Sequence, residues 1–172
     1  MVGVTWGDFG GSASFTPNAF AARYELAPAT FCTSKASLLE GCIPTLVGPS
    51  PSVSKSGGNY VCTAGPVPGG PGRAGVLLAT TSGVLVTPLN TPYGDLCLNQ
   101  QALLAAWPST PGGASGSCSG SYSFDLHAAV AATSAIPVGA TLHLQVWYRD
   151  QGFAPPGNAN YTHGIGPITV YP

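Results

Sequence analysis

Thr141-Leu-His-Leu-Gln-Val-Trp-Tyr-Arg-Asp150 decides how this chain is read. Leu142, Leu144, Val146 and Tyr148 fall on one face of an extended backbone. Thr141, His143, Gln145, Trp147 and Arg149 fall on the other. A strict period of two is the pattern of a strand with one buried face. Four large apolar residues on that face predict a core strand rather than an edge. Ser121-Tyr-Ser-Phe-Asp-Leu126 repeats the pattern, with Tyr122, Phe124 and Leu126 against Ser121, Ser123 and Asp125. Both segments are read as inner strands that pack on one core.

Working outward, 172 residues are enough for one domain with a substantial core, and the chain is read as a single domain over 1–172. Charged residues make up 6% of it, against roughly 25% in an ordinary soluble domain. Five cations cannot build a basic patch, so nucleic acid is not an expected partner. A nearly neutral surface also offers little resistance to association. Gly (24) and Pro (17) are abundant, but 44% of residues are hydrophobic, which points to tight turns between short strands rather than to disorder. Met1-Val-Gly-Val-Thr-Trp-Gly-Asp8 lacks the basic and apolar regions of a signal peptide, so Met1 reads as a start codon placed before a mature chain or an excised domain. The apolar stretches are far short of a membrane span. Cys32, Cys42, Cys62, Cys97 and Cys118 form neither a CxxC nor a zinc-finger spacing. Their scatter in a Ser/Thr/Gly-rich β-chain predicts disulfides and an oxidising, extracellular compartment, with one thiol left over.

Along the chain, residues 1–31 alternate weakly through Phe15, Phe20, Tyr24 and Phe31 and predict one or two strands. Residues 32–51 read as a stapled loop, and Ser52–Thr63 as a hairpin or bulged strand around Gly57-Gly58. Residues 64–72 (AGPVPGGPG) read as a loop, because prolines and glycines at that density interrupt a ladder. Arg73–Thr81 and Gly83–Leu89 are strands about a turn at Ser82-Gly83, and Leu96–Asn99 is a short one. Gln100–Trp107 (QQALLAAW) is the stretch compatible with a helix, ended by Pro108. An Ala-rich segment at His127–Ala135 and a turn at Pro137-Val-Gly139 join the two core strands. A loop over 151–160 precedes a last strand at Thr162–Tyr171. Many short strands with regular turn signals predict an all-β, antiparallel sandwich or jelly roll with at most one short helix.

Several segments carry a resemblance in order: Phe31-Cys32, Gly41-Cys42-Ile-Pro44, Ser52-Val-Ser54, Gly75-Val-Leu-Leu78, Gly94-Asp-Leu-Cys-Leu-Asn99, Cys118-Ser-Gly-Ser-Tyr-Ser123, Gln145-Val-Trp-Tyr-Arg-Asp150 and Asn160–Thr169. Over about residues 31–172 the chain resembles a C-terminal β-sandwich domain of secreted proteins from planctomycetes and some deltaproteobacteria. The resemblance implies a non-catalytic module attached to larger exported proteins. It also implies the pairs Cys32–Cys42 and Cys97–Cys118, with Cys62 unmatched and residues 1–30 outside it.

Chemistry-bearing combinations are few. Asp125 and His127 with a nearby serine suggest a triad, but no Gly-x-Ser-x-Gly elbow accompanies them. His127, His143 and His163 have no metal-ligand spacing. Six carboxylates are enough for a glycosidase pair, yet nothing in their positions marks one, and no Asp-x-Asp-x-Asp run suggests calcium. Asp150 is read as a cap for the 151–160 loop. No cofactor or metal is expected. Trp6, Trp107, Trp147 and Tyr148 are candidate stacking surfaces for a glycan, with His143, Gln145, Trp147 and Arg149 sharing one strand face. The competing reading buries that face under a second layer or a partner chain. The expected function is a non-catalytic structural or adhesive surface module that self-associates or docks on a parent secreted protein. Residues 1–30 serve as an exchanged or docking strand in that reading. A carbohydrate-binding module is the alternative, and a secreted hydrolase the third reading.

Overall fold

The computed structural model describes residues 27–37, 40–91, 94–99, 103–151 and 158–172. Trp6, Phe15, Phe20, Tyr24 and most of the 151–160 loop lie outside these residues, as does the side chain of Trp107. Eleven strands and one short helix make up the described fold. They are β1 (Thr30–Phe31), β2 (Thr45–Val47), β3 (Ser52–Ser54), β4 (Val61–Val67), β5 (Gly75–Thr80), β6 (Val84–Thr91), β7 (Gly94–Leu98), β8 (Leu103–Ser109), β9 (Gly120–Asp125), α1 (Leu126–Ala131), β10 (Thr141–Arg149) and β11 (Ala159–Tyr171).

The strands form an antiparallel sandwich in which, among the named strands described, β3 alone runs parallel to its neighbour. The larger sheet has the order β1-β11-β10-β5-β8, with β3 beside the far end of β11. The smaller sheet is β2-β4-β9. Between them lies one core of Leu77 and Ala79 from β5, Leu142, Leu144, Val146 and Tyr148 from β10, and Ile165, Ile168 and Val170 from β11. These face Leu46, Cys62, Ala64, Tyr122 and Phe124 of the smaller sheet. The predicted core face of 141–150 is the observed one, and β10 is central, flanked by β5 and β11. β9 shares the core as expected but is the edge of its sheet, because the chain leaves it directly into α1.

The structure corrects four local expectations. Leu103–Ser109 is a strand on the edge of the larger sheet, not the end of a helix. Eight residues are too short to stand as a helix alone, and the open edge of β5 offers a full ladder instead. Pro108 is tolerated there because an edge strand does not need every N–H. The helix lies instead at Leu126–Ala131, where Asp125 accepts the Ala128 N–H at 2.9 Å as an N-cap. Ser52–Thr63 is not a hairpin: β3 joins the larger sheet and β4 the smaller one. The predicted loop at 64–72 begins later than expected, since β4 runs through Pro66 to Val67 with a shift in register.

The Ser82-Gly83 turn is where expected, but it takes the chain out of the larger sheet altogether. β6 pairs with β7 as a separate two-stranded ribbon. β7 lies on the outer face of the larger sheet, where Leu96 and Leu98 pack with Tyr161, Leu78, Trp147 and Phe31. That stretch of β10 is therefore covered on both faces.

Cys32 bonds Cys97 and Cys42 bonds Cys118, so both pairs implied by the resemblance are replaced. The reason is topological. β1 and β7 meet over the outer face of β10, which brings Cys32 to Cys97, while the loops before β2 and β9 meet at the end of the smaller sheet. Cys62, left unmatched by the resemblance, is the free thiol and is fully buried.

Candidate functional site

The strand face proposed for ligand binding is largely a packed interior. Gln145 is 0% exposed although its face was read as polar. Its Oε1 accepts the Cys97 N–H at 3.0 Å, and its Nε2 donates to Asp95 O at 2.9 Å and Thr162 O at 2.8 Å. These bonds satisfy all but one site of the amide and hold β7 over β10. Trp147 is half-buried against the Leu96–Leu98 cluster. Its indole serves as packing surface for β7, which favours the covered-face reading over the glycan platform. Arg149 is exposed at the end of the strand, and Asp150, next to it, is fully buried and donates its N–H to Asn158 O at 2.9 Å.

His143 is half-buried, 5.9 Å from the Phe31 ring in an edge-on arrangement. Its Nδ1 is buried without a hydrogen-bond partner. Burial pushes its pKa below the ordinary histidine range.

The three histidines are apart in role and place. His127 Nδ1 bonds Ser54 O at 2.9 Å and ties α1 to β3. His163 Nε2 lies 3.0 Å from Leu46 O and 3.3 Å from Leu46 N, closing the free edge of β2. No group of three metal-ligating side chains occurs among the described residues. The Asp125–His127 pair forms no relay either, since Asp125 is spent on the helix cap. One serine–histidine contact was missed in the sequence: Ser34 Oγ is 3.4 Å from His163 Nδ1. It too is structural. Ser34 Oγ accepts the His163 N–H at 2.7 Å and donates its own proton to Pro44 O, so the hydroxyl is not poised to attack a substrate.

No protein family, curated protein or solved structure matches this chain.

Two other features were not legible from the sequence. The first is a buried ion pair, Arg73 Nη2 to Glu40 Oε1 at 2.7 Å, with both side chains less than a tenth exposed. The Tyr122 hydroxyl donates to Arg73 O at 2.8 Å beside it. Gly75 makes room for Tyr122, since a Cβ there would sit 2.7 Å from the tyrosine ring. The pair locks the loop before β2 onto the loop before β5. The second is the distribution of what is left outside. Val84, Val86 and Leu89 of β6 are exposed, Val86 completely. On the smaller sheet Ile43 and Val47 are exposed beside a shallow groove of about 420 Å³ lined by Thr45, Thr63, Pro66, Ser119 and Ser121. Most of the described charged side chains are meanwhile engaged with partners of this chain. Lys35 pairs with Asp95 at 3.2 Å, Arg73 with Glu40, Asp125 caps α1, and Lys55 Nζ donates to Thr133 O and Ile136 O. No helix among the described residues is long and apolar enough to cross a membrane.

Proposed function

We propose that this chain is a non-catalytic extracellular structural or adhesive module that works by self-association or by docking on a parent assembly. The observation that carries the reading is the β6–β7 ribbon, whose outer strand presents Val84, Val86 and Leu89 to solvent. Three bare aliphatic side chains on one short strand are the kind of apolar surface a partner covers. The low charge content of the chain, 6% of its residues, lowers the usual barrier to close approach. Two disulfides fit an oxidising location outside the cell. Residues 1–30 supply an exchanged or docking strand.

The test is the mass of the chain in solution by sedimentation velocity. Concentration-dependent association that Val86→Lys weakens, and that deletion of residues 1–24 also weakens, is the expected result. A chain that stays monomeric at high concentration, with neither change having any effect, overturns the self-association reading.

A further inference from the structure

The edge of the larger sheet is closed by a very short element. β1 has two residues, with Thr30 opposite Ile165 and Phe31 opposite Gly164. A further bond joins Gly166 N–H to Ala29 O at 2.9 Å, and the Phe31 ring packs with the Leu96–Leu98 cluster. Immediately after it Cys32 turns with φ +66°, an unusual conformation for a residue with a Cβ, and is bonded to Cys97. So the chain from Cys32 onward is anchored, and Ala29–Phe31 is a clip that ends at a covalent hinge. Phe31 sits in a socket shaped to it. A Cβ at Gly164 would lie 2.2 Å from the Phe31 ring, and the other wall of the socket is the His143 imidazole.

We propose that Ala29–Phe31 is an acid-released latch: protonation of His143 lifts Phe31 away and bares the edge of β11 at Gly164–Gly166 for the same segment of a second copy of this chain. The clip and its socket favour this switch. His143 Nδ1 is buried without a partner, so a proton there is placed in a site that gives it no acceptor. Among the described residues, β5 presents Thr80 and Leu78 on this face, β11 presents Gly164 and Gly166, and β1 presents Phe31, none of which titrates in this range. Asp95 of the covering strand lies over Gln145 instead, where its carbonyl accepts from the amide, and its carboxylate is paired with Lys35 of the segment after β1.

The sign follows from which state holds the neutral ring. Burial in the closed latch holds His143 below the ordinary histidine range, so closure is unaffected at pH above that range and weakens as pH falls through it. The freed edge presents unpaired N–H and C=O groups to an incoming strand. A second copy is the partner whose own Ala29–Phe31 fits the Gly164 socket, which makes the exchange a swap of identical elements. This identity of the incoming strand rests on the self-association reading; opening of the latch does not.

Hydrogen exchange of the Gly164–Gly166 amides, corrected for intrinsic rates, together with solution mass, tests both parts in the full chain. Between about pH 7.5 and about pH 5, protection should fall by roughly tenfold per pH unit at most, in step with one proton. Association should rise over the same interval. His143→Gln should abolish the pH dependence of both, and Phe31→Ala should expose the same amides already at neutral pH. Unchanged protection in the native chain, or an equal fall in His143→Gln, overturns the latch. A His143-dependent opening with no gain in mass overturns the exchange. Failure of the self-association reading itself would show separately, at neutral pH, in the Val86→Lys comparison.

Discussion

Gln145 and Leu144 are adjacent, point to opposite faces, and are both fully buried for different reasons. Leu144 fills the space between the sheets, and Leu144→Ala should cost about 2–5 kcal/mol through lost transfer energy and the cavity left behind. Gln145→Ala removes almost no apolar packing but strands the Cys97 N–H and the Asp95 and Thr162 carbonyls in a dry layer. Leaving a buried group unsatisfied costs about 1–3 kcal/mol, so urea unfolding of Gln145→Ala should show a loss in the same range as Leu144→Ala. A loss under about 0.5 kcal/mol would mean that β7 does not bear on the sheet in solution. Cys62 makes a chemical prediction at the same scale. Burial pushes its thiol up to about 12, so at neutral pH it is an unreactive thiol within the core. Iodoacetamide should label it only after unfolding, and rapid labelling of the native chain would contradict the packing of β4.

At the scale of elements, the β6–β7 ribbon is the least self-sufficient part of the fold. Two strands alone are marginal in water. This ribbon depends on the Leu96–Leu98 contacts, the Gln145 amide and the Cys32–Cys97 bond. Residues 65 apart in sequence are joined there, and 76 apart at Cys42–Cys118, so each bridge should contribute about 4 kcal/mol on a chain-entropy estimate. Peptide mapping should recover these two pairs and not Cys32–Cys42 or Cys97–Cys118. The double change Cys32→Ser with Cys97→Ser should lower the stability and raise hydrogen exchange first in β6 and β7. Equal deprotection of all strands would place the ribbon within the same cooperative unit as the sandwich.

For the whole molecule, the decisive property is how little charge remains available to a partner. Most of the described ionisable side chains are paired, capping or buried. Association through β6 should therefore change little between low and high salt, because few ion pairs exist to be screened. Val86→Lys should weaken it through the loss of apolar contact and the introduction of charge. Strong salt dependence of the mass would point to an electrostatic interface elsewhere on the surface.

Periodicity alone was enough for the inner faces of two strands. The alternation of 141–150 and 121–126 names the side chains that lie between the sheets because a residue's face along a strand depends only on local geometry. The strand-rich class was also legible in the chain, as was one cysteine left over from an odd count. Pairing was not, because it depends on which distant segments meet. The cysteine partners, the strand at Leu103–Ser109 and the separation of β3 from β4 were all set by long-range contacts. The same is true of the polar face of β10. Nothing in Gln145 or its neighbours announces a third layer, since an amide is equally at home in water or with three partners. Only the folded chain brings β7 there, and with it the difference between an open binding surface and a covered one.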